Sequence, residues 1–330
     1  LISVLRNLLF LALGVALLWL TFRHQDFSMV WEKVKTANPW YIVLCCICSI
    51  AALISRSMRW VQLIEPLGYK PRLSTTYHAV MFGYLANMAI PRLGEISRCG
   101  ALNKSDGVPF EKLIGTVIVE RLMDVLMLVI CIVLTAVLEF DRLGGFMNEF
   151  LFQPLLEKIG NSSLVLGIFA FVVALAIFIT VRVFRMENPP AMVLKIKKMM
   201  GGIAEGLRSV TRIKNKGVFI FHTLFIWFMY FGMSYVCFLA LPETAGLGAS
   251  AALFIMVLGG IGMTAPVQGG IGAYHLLVSN GLLLYGLTET DGIVYATMSH
   301  TVSTLLLIIL GAASMIALFF FVKNRNTAVQ

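Results

Sequence analysis

Two apolar stretches in this 330-residue chain stop short of the length a bilayer demands, and each stops at a proline. Tyr77 to Pro91 and Ser250 to Pro266 both fall below the ~20 helical residues that cross a hydrocarbon core. Beyond each break the sequence resumes, as the amphipathic Arg92 to Asp106 and as Gly272 to Tyr285. The breaks share a plan. Gly83 to Arg98 reads G-Y-L-A-N-M-A-I-P-R-L-G-E-I-S-R, and Gly260 to His275 reads G-I-G-M-T-A-P-V-Q-G-G-I-G-A-Y-H. Aligning Pro91 with Pro266 also aligns Met88 with Met263 and Gly94 with Gly269. An apolar segment that enters, breaks and returns is expected to form a re-entrant helical hairpin.

Composition supplies the solvent. The chain is 59% hydrophobic and 13% charged, against about 45–50% and about 25% in soluble domains. Lipid is therefore its main surroundings. Backbone groups in lipid must pair internally, so the spans are helices, and the long continuous apolar runs exclude an alternating outer-membrane barrel. The net charge of +9 is explained by basic cytoplasmic loops and does not call for nucleic acid. Cys45, Cys46, Cys48, Cys131 and Cys237 lie in apolar runs and Cys99 lies beside the first break. None has metal-ligand spacing, and they read as small apolar fillers. No metal or cofactor is expected. A phosphate-binding G-x-x-x-x-G-K-[ST] loop is absent, which argues against direct ATP use. Gly232-Met233-Ser234-Tyr235 with His300 lacks the second glycine of an intramembrane serine protease motif.

Six full spans are expected, at about Val4–Phe22, Pro39–Trp60, Phe110–Leu138, Ser162–Phe184, Val218–Leu241 and Ile293–Phe321. Residues 7–22, preceded by Arg6, read as a signal anchor because no small-x-small cleavage pattern follows. Arg56, Arg59, Lys70 and Arg72 mark the loop after the second span as cytoplasmic. The loop at 185–216 is rich in Lys and Arg against Glu187 and Glu205 and is the main cytoplasmic loop. Its stretch Met192–Val210 suits an amphipathic helix on the inner leaflet. Lys323 and Arg325 put the C-terminus inside. The loops around Glu139, Glu243 and Glu289 have no positive excess and belong outside, although Arg23, Lys33 and Lys35 conflict with an external first loop. The order is span, span, hairpin, span, stated twice with opposite orientation. The expected architecture is thus an all-α polytopic membrane protein in one transmembrane domain, 1–330. It holds two inverted repeats, 1–139 and 162–322, each of three transmembrane helices plus one re-entrant hairpin. Inverted repeats of transporters place the substrate near the midplane, between broken helices.

Glu120, Arg121 and Asp124 lie well inside the third span. Each would cost about 2.5–3.5 kcal/mol at the centre of a helix if unpaired. Glu120 and Asp124 are i, i+4 and share a face, so Arg121 does not neutralise both. Arg92, Arg98 or Arg59 is the expected cation, and an interhelical ion-pair staple is the structural alternative to a substrate site. Helices restarting at Arg92 or Gly269 expose N–H groups suited to a phosphate, and Asn87 is placed to satisfy backbone opened by Pro91. Gly94 follows that break. Gly269, Gly270 and Gly272 permit close approach, either by a ligand or by a packed helix. His300 is either a partner for a carboxylate or a satisfied core histidine; the roles of His275 and His78 stay open.

The motifs N-x-x-x-P-R-L-G-E-x-x-R at Asn87–Arg98, E-R-L-M-D at Glu120–Asp124 and A-P-V-Q-G-G-I-G at Ala265–Gly272 together resemble a known family. It is the flippase-like transmembrane region of lysylphosphatidylglycerol synthases, with its stand-alone bacterial and archaeal relatives. The resemblance covers nearly the whole chain. It departs at His275, where the family usually has an acidic residue. The fused enzymes carry a soluble aminoacyltransferase domain, and this chain stops at Gln330 without one, so lysyl transfer is not expected. The resemblance implies a non-enzymatic lipid translocator in the cytoplasmic membrane, with both termini cytoplasmic. Membrane lipids are its implied partners, and a homo-oligomer and a separate synthase are left open. Arg92 and Arg98 would hold a lipid phosphate; Glu95, Glu120 and Asp124 would hold a cationic head group or balance the arginines. The competing readings are a membrane transferase acting on polyprenyl-phosphate-linked sugars and a proton- or ion-coupled solute carrier.

Overall fold

The computed structural model describes residues 2–23, 25–140, 142 and 213–329, and every regular element among them is a helix. In chain order these are α1 (Ile2–Phe22), α2 (Phe27–Lys35), α3 (Pro39–Ile64), α4 (Leu73–Ala89), α5 (Leu93–Asp106), α6 (Phe110–Leu138), α7 (Lys216–Ala240), α8 (Ala249–Thr264), α9 (Ala273–Leu283) and α10 (Glu289–Val329). Leu1–Leu138 and Ser209–Gln330 form one compact unit, in which the helices above lie; Glu139–Arg208 form a second. The expected span Ser162–Phe184, and the basic loop 185–216 up to residue 212 with its proposed surface helix, lie outside the described residues. Among the described residues, three helices are long and apolar enough to cross a membrane: Pro39–Leu67, Lys216–Ala240 and Glu289–Phe321.

The helix starts follow local chemistry. Asp26 Oδ1 accepts from Ser28 N at 2.8 Å and Asn38 Oδ1 from Trp40 N at 3.0 Å. These side chains satisfy N–H groups that have no intrahelical partner. Pro39, in the first turn of α3, has no N–H to lose. The interval Arg23–Asn38, read from sequence as a polar loop, contains the short helix α2.

Both prolines end a helix that then turns back on itself. Ile90 N bonds Ala86 O at 3.0 Å to close α4, and α5 begins two residues after Pro91. Gly83 on α4 meets Gly94 on α5 so closely that a Cβ on Gly83 would lie 2.8 Å from the Gly94 carbonyl oxygen. In the second pair a Cβ on Gly262 would lie 2.8 Å from Tyr274 Cα, and the rings of Phe254 and Tyr285 are 6.0 Å apart. α4 with α5, and α8 with α9, are therefore helical hairpins whose arms need glycine for close approach.

The two halves exchange contacts. α3 and α7 pack antiparallel, with Cys45 Sγ 3.2 Å from Cys237 Sγ and Ser55 Oγ 2.8 Å from His222 Nδ1. The first arm of each hairpin lies against the last helix of the other half. His78 Nδ1 on α4 is 2.9 Å from Ser314 Oγ on α10, and Gly311 abuts Met81 and Leu85. Likewise α8 packs on α6, with Cys131 against Leu253, Met256 and Val257. The hairpin tips meet, since a Cβ on Gly269 would lie 3.9 Å from Met88 Cγ.

Polar contacts at the two ends of α10 group the loops. At its start, Asp291 pairs with Lys33 of α2, which also lies 3.5 Å from Glu243, and Thr290 Oγ1 donates to Gln25 at 2.9 Å. Hydrogen bonding to Asp291 holds the Lys33 ammonium above the usual lysine pKa. Lys35 pairs with Glu32 at 2.8 Å. These two cations, which conflict with an external loop in the sequence, are matched by acids. At the other end Arg72 pairs with Asp106 at 3.3 Å and stacks on Phe321 at 5.5 Å.

A Cβ at Gly94 would strike the Gly83 carbonyl oxygen and Asn87, whereas at Gly100, further along α5, it meets nothing within 4 Å. Gly94→Ala is expected to lower the thermal unfolding midpoint of the purified protein, by an overpacking cost of about 1–3 kcal/mol. Gly100→Ala should leave the midpoint unchanged or raise it, through about 1 kcal/mol of helix propensity.

Candidate functional site

The buried charges converge. Arg56 and Arg59 sit one turn apart on α3, 4% and 0% exposed. From sequence they close the second span, about Pro39–Trp60, and mark the loop after it as cytoplasmic; in the structure α3 runs on to Ile64 and both are buried. They face α6. Arg56 Nη1 donates to Glu120 Oε1 at 2.7 Å and Arg56 Nη2 to Asp124 Oδ2 at 3.0 Å. Arg59 Nη2 donates to Asp124 Oδ1 at 2.7 Å and lies 3.7 Å from Glu120. Tyr230 of α7 accepts from Arg56 Nη2 at 3.2 Å. The shared face of Glu120 and Asp124 is real, and its main cations come from α3. Of the three expected, Arg59 and Arg98 take part and Arg92 does not.

The first hairpin supplies the other side. Arg98 of α5, 3% exposed, lies 3.0 Å from Glu120 Oε2 and stacks over Trp60 at 4.6 Å. Trp60 is fixed by its Nε1 donating to Thr116 Oγ1 at 2.8 Å. Arg121 pairs with Glu95 of α5 at 3.0 Å and lies 3.8 Å from Asp124. Four arginines (56, 59, 98, 121) meet three carboxylates (95, 120, 124), which leaves one positive charge in excess. Removing such groups from water costs several kcal/mol each and is offset only by close pairing. The cluster borders a small cleft lined by Val80, Gly83, Tyr84, Asn87, Gly94, Glu95, Arg98 and Arg121.

The hairpin tips differ from expectation in detail. Asn87 Oδ1 accepts from Gly94 N at 2.6 Å, so the side chain caps the restarted helix. Arg92 is exposed and makes no ion pair among the described residues. It has φ 65°, the one positive-φ residue other than glycine among the described residues, in a region that costs a residue with a Cβ about 1–2 kcal/mol. In the second tip Gly269, Gly270 and Gly272 have φ of 57°, 74° and 82°. Gly270 lies against Met263, and a Cβ on Gly272 would lie 2.6 Å from Gly14 O of α1. These are close helix contacts. His300 is 2.8 Å from the Gly269 carbonyl oxygen, and its ring lies 4.8 Å from that of His275. It is a satisfied buried histidine with no carboxylate among its hydrogen-bond partners. Pro266 ends its helix as expected, apart from the charge cluster.

Arg56, Tyr230 and Trp60 are the participants that the sequence reading passed over. The available signal was arithmetic: two buried carboxylates on one helical face require two cations, and Arg56 and Arg59 are one turn apart on an apolar helix. Among the described residues no group of three His, Cys, Asp or Glu side chains is placed to hold a metal.

The sequence is 32% identical over 90 residues to the UPF0104 membrane protein MJ1595 of Methanocaldococcus jannaschii, covering 26% of this chain and 27% of that relative. No solved structure matches. The sequence model described as "Lysylphosphatidylglycerol synthase TM region" matches residues 7–311. This membrane protein therefore belongs to the family of the lysylphosphatidylglycerol synthase transmembrane region.

Proposed function

We propose that this protein translocates a phospholipid, or a lipid-linked anionic or zwitterionic head group, across the cytoplasmic membrane and catalyses no covalent reaction. The observation that carries this reading is the buried charge cluster, one positive charge in excess, bordering a small cleft between the arms of a broken helical pair. A lipid phosphate supplies the missing negative charge, and its acyl chains remain in the bilayer. On this reading the hairpins are re-entrant and the halves are inverted repeats. The antiparallel α3–α7 pair and the reciprocal packing of α4 on α10 and α8 on α6 support it. The grouping of Lys33, Glu243 and Asp291 at one end and Arg72, Asp106 and Phe321 at the other supports opposite sides of a membrane. The termini are then cytoplasmic, and the partners are lipids, with a second copy or a separate synthase as further candidates.

Proteoliposomes carrying a head-group-labelled phospholipid, with an external quencher, test this. Arg92→Ala/Arg98→Ala is expected to slow flipping by at least about tenfold, equivalent to 1.4 kcal/mol. Equal rates in wild type and variant would refute the assignment. Arg92→Gly separates strain from function. It should raise the unfolding midpoint, by relief of about 1 kcal/mol, while slowing flipping if the guanidinium meets the phosphate at the tip. Glu120→Gln leaves three arginines facing a neutral amide. The expected loss of stability is about 3–5 kcal/mol, read as a lowered unfolding midpoint.

A further inference from the structure

α3 and α7 are held in one register along their length. Asn38 N donates to Ala240 O at 2.8 Å at one end, and Ser55 Oγ meets His222 Nδ1 at 2.8 Å toward the other. Between them stand Cys45 and Cys237, 192 residues apart in sequence, with their sulfurs 3.2 Å apart. Both are buried, 3% and 6% exposed. The Cys45 thiol has a second acceptor in the Met233 carbonyl, 3.5 Å away. α7 has little freedom to turn here. Tyr295 of α10 donates its hydroxyl to Ser234 O at 3.0 Å, and its ring lies 5.0 Å from that of Phe238. The other cysteines are placed differently. Cys48, one turn along α3, faces a glycine: a Cβ on Gly232 would lie 3.8 Å from its sulfur. Among the described residues no other two cysteines are in sulfur contact. An S–S bond measures about 2.05 Å, so closing the Cys45–Cys237 gap takes about 1.2 Å. That is a displacement of side chains rather than of helices.

We infer that Cys45 and Cys237 form an oxidation site, at which a lipid-soluble hydroperoxide converts the two thiols into a disulfide that joins the two halves of the protein. A buried thiol is ordinarily inert toward water-borne reagents, and bulky ones have no path to these sulfurs. A small apolar peroxide approaches from the acyl chains, since α3 and α7 are both long and apolar enough to cross a membrane. One sulfur takes the terminal peroxide oxygen. The O–O bond breaks, and the alkoxide leaves as an alcohol with the thiol proton. The resulting sulfenic acid condenses with the second thiol. The S–S bond forms, and the hydroxyl leaves as water with the second thiol proton. The two sulfurs lose two electrons between them and the peroxide gains both. The new bond closes a long loop and so restricts the unfolded chain. The site is separate from the charge cluster and does not depend on lipid translocation.

The test uses the full chain, reduced with tributylphosphine, reconstituted into liposomes and treated with cumene hydroperoxide. Remaining thiols are blocked with N-ethylmaleimide in denaturant, and the digested protein is mapped by mass spectrometry. Met29 and Met315, 52% and 51% exposed, show by their sulfoxides that the reagent arrived. A linked peptide pair joining Cys45 to Cys237 is expected. Glutathione disulfide, bulky and water-borne, should give at least about tenfold less of it. Oxidised wild type should unfold at least about 5 °C above Cys45→Ser or Cys237→Ser treated in the same way. Cys131→Ser should behave as wild type. Circular dichroism before treatment establishes that the variants fold.

Methionine sulfoxides without the Cys45–Cys237 link in the folded wild type overturn the inference. A link through Cys46 or Cys48 in its place does the same. A link that leaves the unfolding midpoint unchanged overturns the joining of the halves as its consequence. Equal yield from glutathione disulfide upholds the site and overturns the lipid-soluble peroxide as its oxidant.

Discussion

Glu120 is the residue on which the first half of the protein depends. Its side chain is wholly buried, and an isolated carboxylate there would be prohibitive. It is tolerated because Arg56 and Arg59 reach it from α3 and Arg98 reaches it from α5. Those helices lie on either side of α4, the first hairpin's first arm, in sequence. The electrostatic requirement of one side chain on α6 thus fixes how α3, α5 and α6 come together. Asp124, one turn on, doubles the constraint, because each α3 arginine then bridges two carboxylates and has less freedom to turn away.

The hairpins satisfy a different requirement. A helix that breaks exposes N–H and C=O groups that have no intrahelical partner. Both breaks meet this with local polar partners. Asn87 caps α5 at Gly94, and His300 reaches the carbonyl of Gly269. Both also bring backbone against backbone through glycine, Gly83 with Gly94 and Gly262 with Ala273 and Tyr274. Each hairpin then leans on the final helix of the opposite half, so neither half closes its own core. That exchange makes one unit of segments distant in sequence.

Much of this was legible in the residues, for a physical reason in each case. Pro91 and Pro266 cut the apolar runs because proline removes a backbone donor, and the helices end there. The i, i+4 spacing of Glu120 and Asp124 places them on one face in any α-helix. Asn87 was readable as a backbone partner from its position one turn before the proline. The identity of the cations was less legible. Arg56 and Arg59 fall near the end of an apolar run, where positive residues commonly mark a loop. Only the packing of α3 on α6 distinguishes a loop marker from a buried partner. Arg92 misled in the opposite sense, since adjacency to the break does not bring a side chain inward when the backbone turns left-handed. The short helix α2 is hidden because its apolar stripe covers barely two turns. Its cations look misplaced until Asp291, over 250 residues later, is brought beside Lys33.

The two hairpins share a backbone plan and differ in what constrains them. The second is clamped on both sides: Gly272 against Gly14 and Leu17 of α1, and Gly269 under His300 of α10. A Cβ on Gly270 or Gly272 would clash, whereas one on Gly269 would meet Met88 only at 3.9 Å. The first has an exposed arginine at its tip and a single side-chain hydrogen bond across the break. Its inner face carries charge whose pairing is incomplete on the cleft side. Unmatched charge and a lightly held tip belong together physically. The arms of the first hairpin carry Glu95 and Arg98, whereas the arms of the second carry no acidic or basic residue other than histidine.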